Sequence, residues 1–271
     1  MGYGSQKKRL RLASEGIHIV NATTIQRLTG TALMVCISAM AMTVRAAGAD
    51  EAATGVHTMA LSSLNGLEIK AVSEPGGAAV KVKADIATYN GRRAVHILND
   101  DSTMGSSGPS GGESLAIVKE SDFGNGTIEF DVVGLPRQGS NSQSRGFVGI
   151  AFRIQGDVDK FENFYLRFTN GRADDQLRRN HSAQYSSFPD FPWSRLRQEN
   201  PGVYESYVDI QEKSWTKVRV IVSGTKAKLY VNGAEQPCLI VNDLKLGRGH
   251  GRVALWTGSD TEAYFSNLQI K

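Results

Sequence analysis

The 271-residue chain is short of the residues that build disulfide or metal frameworks, with two cysteines, Cys36 and Cys238, and five scattered histidines. No cysteine-based metal site can be assembled from that stock, and no histidine cluster is legible in the spacing. The fingerprints of a P-loop, a dinucleotide site, a Ser-His-Asp nucleophile and a zinc site are all missing. Sustained helical periodicity is scarce as well. Positive charge is confined to one end. Residues 1–49 carry six basic side chains and one acid, Glu15; taken from the chain's 31 basic and 27 acidic residues, these leave 25 and 26 in residues 50–271. The net charge of +4 therefore belongs to the N-terminal segment, and no basic nucleic-acid patch is expected in the rest.

The single long apolar run, 28–44, follows Arg27 and precedes Ala47-Gly48-Ala49, a small-x-small cleavage pattern. Its seventeen uncharged residues fall short of the roughly 20 that a membrane span needs. Residues 1–49 are thus expected to be a leader with a cleaved signal, residues 50–65 a flexible mature N-terminus, and the mature protein extracytoplasmic and free of the membrane. Only Cys238 would survive cleavage, which excludes an intrachain disulfide.

Beyond the leader, period-two alternation dominates. Val148, Ile150, Phe152 and Ile154 alternate with smaller or polar residues, as do Phe164, Leu166 and Phe168, then Val218, Val220 and Val222, then Leu229 and Val231. Asn90-Gly91, Asn125-Gly126, Ser223-Gly224 and Asn232-Gly233 supply turns between them, and 100–112 and 134–146 read as polar loops. The pattern predicts an all-β antiparallel jelly-roll sandwich over 66–271.

The segments Gly126-Thr-Ile-Glu-Phe-Asp131, Gly146-Phe-Val-Gly-Ile-Ala-Phe-Arg153, Trp215-Thr-Lys-Val-Arg-Val220, Ala227-Lys-Leu-Tyr-Val-Asn-Gly233 and Gly251-Arg-Val-Ala-Leu-Trp256 resemble the concanavalin A-like lectin/glucanase superfamily. Within it the chain is most similar to laminin G-like domains and to the 3-keto-disaccharide hydrolase domain of exported bacterial proteins. The resemblance implies a concave sheet that holds a saccharide or glycoconjugate. It implies either cleavage of a 3-keto-type glycoside or a non-catalytic laminin G-like binding module. Calcium is common at the rims of such sandwiches, so the resemblance leaves a calcium ion open although no Asp/Asn cluster here has a diagnostic spacing, and no other cofactor is expected. The glucanase branch mounts its carboxylates as E-x-D-x-x-E; here Glu129 and Asp131 are followed by Gly134, which removes that pair as an active site.

Function is expected instead in Phe161–Ile210, which holds six arginines, no lysine and ten of the 21 aromatic residues. Arginine's planar fork pairs two oxygens at once and stacks on rings, which suits fixed polar recognition. Strand alternation sends Phe164 and Leu166 to a core and Asn163, Tyr165 and Arg167 to the opposite face, with Arg153 of the preceding strand expected beside Arg167. These arginines face either a ligand or the carboxylates Glu205 and Asp209. In 171–181, Arg172, Asp174, Asp175, Arg178, Arg179 and His181 fit a helix with Asp174–Arg178 and Asp175–Arg179 pairs, or a strand. Asp174 or Asp175 is a candidate base and His181 a candidate acid, with no second histidine near enough to assign a metal. Trp193 and Tyr185 offer flat faces to a sugar ring, flanked by Arg195 and Arg197; alternatively Phe188, Phe191 and Trp193 plug the sandwich end. Glu205 and Tyr207 share a strand face, and Glu205 is either the leading catalytic carboxylate or the partner of an arginine.

The leader reading makes one checkable statement: N-terminal sequencing of the exported protein is expected to begin at Asp50. A product starting upstream and sedimenting with membranes would exclude a cleaved signal.

Overall fold

The computed structural model describes residues 57–73, 81–100, 112–140 and 142–271. The leader, residues 50–56 and most of the 100–112 loop lie outside the described residues. Alternating apolar and polar residues fold into two antiparallel sheets, because each strand then has one face to bury. One sheet runs β3 (Lys81–Tyr89), β4 (Arg92–Asp100), β15 (Thr261–Ile270), β6 (Gly126–Pro136), β11 (Thr216–Ser223), β12 (Lys226–Val231) and β13 (Leu239–Val241), with β1 (His57–Met59) also paired to β15. The other runs β2 (Leu67–Val72), β5 (Glu113–Phe123), β14 (Gly251–Thr257), β7 (Phe147–Gln155), β8 (Lys160–Arg167), β9 (Ala183–Phe188) and β10 (Glu205–Ser206). The jelly-roll sandwich expected from the alternation is what forms. Part of the segment expected to be flexible, His57–Met59, is instead a strand in register with Leu268–Ile270.

The core lies between the sheets. Ile128, Phe130, Val132, Val218, Val220, Leu229 and Phe265 from one meet Val148, Ile150, Phe152, Phe164, Leu166 and Leu255 from the other. At about 25 cal/mol per Å² of apolar surface buried, this packing is the main stabilising contribution. Glu129 and Asp131 point away from it. Asp131 is buried and accepts from Arg92 and Asn267, both at 2.7 Å.

Strand register places the outward residues in rows. Glu205 pairs with Gln184, Gln184 with Tyr165, Tyr165 with Gly149, and Gly149 with Trp256. A Cβ on Gly149 would lie 2.8 Å from that of Tyr165, so the missing side chain lets the Tyr165 and Trp256 rings approach to 4.8 Å.

Arg153 departs from its expected place. The β7–β8 and β7–β14 registers both slip near it, and its φ is +54°. This bulge adds a residue and reverses the alternation. Ile154 therefore joins the outward apolar cluster, and Arg153 becomes fully buried. Its guanidinium donates to the carbonyls of Gly124 (2.6 Å), Gly224 (2.8 Å) and Gly247 (2.6 Å), stapling three loops. It sits toward the opposite end of β7 from Phe147, the register partner of Arg167, and so is no neighbour of Arg167. Arg153→Met is expected to lower stability by about 2–4 kcal/mol, since buried carbonyls lose their donors, while saccharide affinity stays unchanged. Denaturant melts and calorimetric titration check both; an affinity loss with no stability loss would return Arg153 to the binding surface.

Candidate functional site

The site forms where β8, β9 and β10 end beside two short helices, α1 (Gln176–Asn180) and α2 (Trp193–Glu199). The strand-or-helix ambiguity of 171–181 resolves as a helix of five residues, and its start is set by Asp175, whose carboxylate accepts from the Arg178 amide at 3.1 Å. That capping role takes the place of the expected ion pair with Arg179. Asp174 is exposed just before the cap.

Glu205 is at the centre. It is 7% exposed and receives Arg197 in a fork, Nη2 to Oε2 at 2.7 Å and Nε to Oε1 at 3.0 Å. His181 Nε2 lies 3.3 Å from its other flank at Oε1. Burial of a carboxylate is tolerated because a permanent cation and a second polar group satisfy it. Burial, and the nearby Arg197 and Arg167 charges, hold His181 below its ordinary imidazole value, and Glu205 opposes them only in part. The ring is therefore neutral at pH 7.

Arg167 emerges from β8 behind this pair, and its side chain is buried. It donates to the His181 carbonyl (2.9 Å), the Tyr165 hydroxyl (3.1 Å) and Gln184 Oε1 (3.2 Å). The guanidinium carbon also lies 5.0 Å from the Tyr165 ring centre and 5.8 Å from that of Trp193, with Arg197 4.6 Å over the same indole. Such stacking holds weakly hydrated guanidinium groups in fixed planes. Burial pushes the Tyr165 phenol up to about 12, keeping it a neutral hydroxyl.

Two adjoining clefts open here. One, of about 240 Å³, is lined by Arg145, Phe147, Arg167, Asn170, Arg178 and Trp193 among others. The second, of about 590 Å³, is bounded by Pro201, Gly202, Glu205 and Tyr207, and shares Leu177, His181 and Arg197 with the first. Arg167, His181, Trp193, Arg197, Glu205 and Arg178 thus converge as the arginine-rich segment suggested.

Most other candidates do not join them, although Tyr207 bounds the larger cleft. Arg172 forks onto Asp209 at 2.7 and 3.1 Å on the exposed surface. Arg195 pairs with Glu199 at 2.8 Å one helical turn on. Arg179 donates to the Tyr207 hydroxyl at 2.9 Å, tying both down at the edge of the larger cleft. Tyr185 faces the core, donating to Glu162 Oε2 at 2.5 Å and accepting from the Lys245 amide, so it offers no face to a sugar. Glu162, fully buried, also accepts from the Leu246 amide, and burial raises its carboxyl value against those hydrogen bonds. Asn163 is buried between Ala151 and Ser186, and its side-chain amide has no hydrogen-bond partner among the described residues. Among the described residues no three His, Cys, Asp or Glu side chains gather as metal ligands would.

Two contributors were missed. Arg145 belongs to the loop expected at 134–146, and a lone arginine in a polar loop carries no periodicity to signal its role. Gln184 was hidden in a strand too short to show alternation, although its register with Tyr165 and Glu205 makes it the bridge between them.

Residues 72–271 match the 3-keto-alpha-glucoside-1,2-lyase-like domain. No curated protein matches the chain in sequence. Among solved structures it is similar to the carbohydrate-binding module CBM66 from Bacillus subtilis, at 13% identity over 71% of this chain and 95% of that one, TM-score 0.45. It is similar to a prokaryotic β-1,3-1,4-glucanase (lichenase) derived from a mouse hindgut metagenome, at 12% identity over 80% and 98%, TM-score 0.46. A third is the Bacillus licheniformis β-glucanase, at 13% identity over 81% and 99%, TM-score 0.44.

The electrostatics give a direct test. NMR titration of the His181 ring is expected to show a midpoint below 6.5, the ordinary imidazole value. Arg197→Ala should move it upward, because a repelling cation is removed from the imidazolium. An unmoved midpoint would mean that Arg197 does not set the charge of this ring.

Proposed function

Because the chain belongs to the 3-keto-alpha-glucoside-1,2-lyase-like domain family, we propose that it binds a saccharide in the His181–Glu205 cleft and cleaves the glycosidic bond of a 3-keto-glucoside. The observation that carries this reading is an imidazole 3.3 Å from a buried carboxylate, with Arg167 and Arg197 around it and its value held below the ordinary one by burial. A ketone at C3 acidifies the hydrogen on C2, since the electron pair left behind spreads onto the carbonyl oxygen as an enolate. The C1–O bond then breaks as that pair forms the C1–C2 double bond, and the departing oxygen takes up a proton. His181 is the base for the C2 hydrogen. Its Nε2 faces Glu205, which leaves Nδ1 to accept the proton, and Glu205 stabilises the imidazolium that results. Arg167 and Arg197 supply positive charge as the enolate forms.

Glu205 is then a positioning residue rather than a free acid, because Arg197 occupies it. The leader expected at 1–49, with its cleaved signal, would put this activity outside the cytoplasm.

A specific observation also favours a second reading, a binding module without turnover: the one buried carboxylate of the site is already neutralised by its fork. Release of p-nitrophenol from p-nitrophenyl 3-keto-α-glucoside separates the two. Turnover is expected, with a primary isotope effect on C2 deuteration. Its acid limb should fall below pH 6.5, because the lowered His181 value keeps the base unprotonated to lower pH than an ordinary imidazole. His181→Ala should cut kcat/KM by roughly 10²–10⁴. Saccharide binding without any release would leave only the binding module.

A further inference from the structure

The arginines of this protein fall into unlike groups when their acceptors are named. Arg92, Arg137, Arg172, Arg195 and Arg197 each meet a carboxylate: Asp131, Asp260, Asp209, Glu199 and Glu205. Among the described residues, Arg145, Arg167 and Arg178 do not. Arg145 donates to the carbonyls of Ser142 and Ser144 and to Gln143 Oε1. Arg178 donates to the Thr169 carbonyl and hydroxyl and to Asn170 Oδ1. Arg167 donates only to the neutral oxygens already named.

These three guanidinium groups line one cleft of about 240 Å³, together with Arg197, and none of its lining residues is acidic. Each guanidinium carries five N–H donors, and Arg178 Nη1 and Arg145 Nε donate to no described residue. Like charges gathered in a part-buried site repel one another. Arg145 records this, its value depressed first by burial and then by Arg178 and Arg167. Glu205, in the adjoining cleft, is committed to Arg197 and His181. The cleft thus holds an excess of positive charge and open donors, with the Trp193 indole beside them.

We propose that Arg145, Arg167 and Arg178 form a subsite for an anionic substituent on the saccharide, so that the protein selects an acidic sugar over a neutral one. An oxyanion there is met by the open Arg178 Nη1 and Arg145 Nε donors, and hydrogen bonds between two charged groups are stronger than neutral ones. Trp193, at the wall of the same cleft, lies within reach of the sugar ring that carries the anion. The inference rests on the saccharide reading for its occupant but not on cleavage.

Calorimetric titration with methyl β-glucuronide, methyl glucoside 6-sulfate, methyl glucoside and sodium sulfate tests it on the unaltered protein. One acidic glycoside is expected to bind about tenfold or more tightly than the neutral one. Which of the two does so tells a carboxylate from a sulfate. Raising the salt should weaken that binding and leave neutral-sugar binding unchanged. Arg178→Gln, with Arg145→Gln as a second variant, should bring the acidic and neutral affinities together. Equal affinity for acidic and neutral glycosides in the unaltered protein would overturn the proposal. Sodium sulfate binding as tightly as the sulfated glycoside would overturn it too, since the sugar would then contribute nothing. Cleavage of a neutral 3-keto-glucoside with no inhibition by either acidic glycoside would sink this inference and leave the lyase reading standing. Tight acidic-glycoside binding without any cleavage would do the reverse.

Discussion

Packing of Val148, Ile150, Phe164 and Leu166 against the facing sheet decides which side chains of β7 and β8 are free to point outward. A slip of one residue would exchange the two faces, so the buried set locks the register of the whole seven-stranded sheet. Through that register Glu205, Gln184, Tyr165 and Trp256 line up across strands far apart in sequence. Gly149 is the gap in the row that lets the rings meet. The site is thus a consequence of core packing, expressed on the opposite face.

Charge in this site is layered. Glu205 is held by Arg197 and His181, and Arg167 is held by a carbonyl, a phenol and an amide. The first arrangement resembles the internal neutralisation that buried carboxylates require. The second leaves a cation with polar contacts and no direct ion pair among the described residues. A depressed imidazole beside such a cation remains neutral, which suits accepting a proton, while the surrounding guanidinium groups favour negative charge on whatever enters. Rings of Tyr165 and Trp193 hold those groups in plane without cancelling their charge.

Much of this was legible in the residue order. Alternation located the strands around Val148, Phe164, Val218 and Leu229, and the resemblance identified the sandwich. The arginine-only, ring-rich stretch pointed to Arg167, Arg178, His181, Trp193, Arg197 and Glu205, which converge. Arg153 and Tyr185 were misplaced for opposite reasons. A bulge reversed the alternation at Arg153, and short strand β9 turned Tyr185 inward to Glu162, a carboxylate that alternation had no means of singling out. Asp175 was drawn into a cap because a five-residue helix begins at it.

Local pattern was enough for strands, turns and the concentration of arginine, since those depend on which neighbours along the chain are apolar and which backbone angles each residue tolerates. Pairing was another matter. Whether an arginine meets a carboxylate, a carbonyl or an open cleft depends on residues tens of positions away, brought near by register and by one bulge. Arg172 with Asp209 and Arg153 with three glycine carbonyls became structural, and Arg145, Arg167 and Arg178 became a cleft, through folding alone. The reason is that hydrogen bonds and ion pairs act over a few ångströms, a distance that only the folded chain defines.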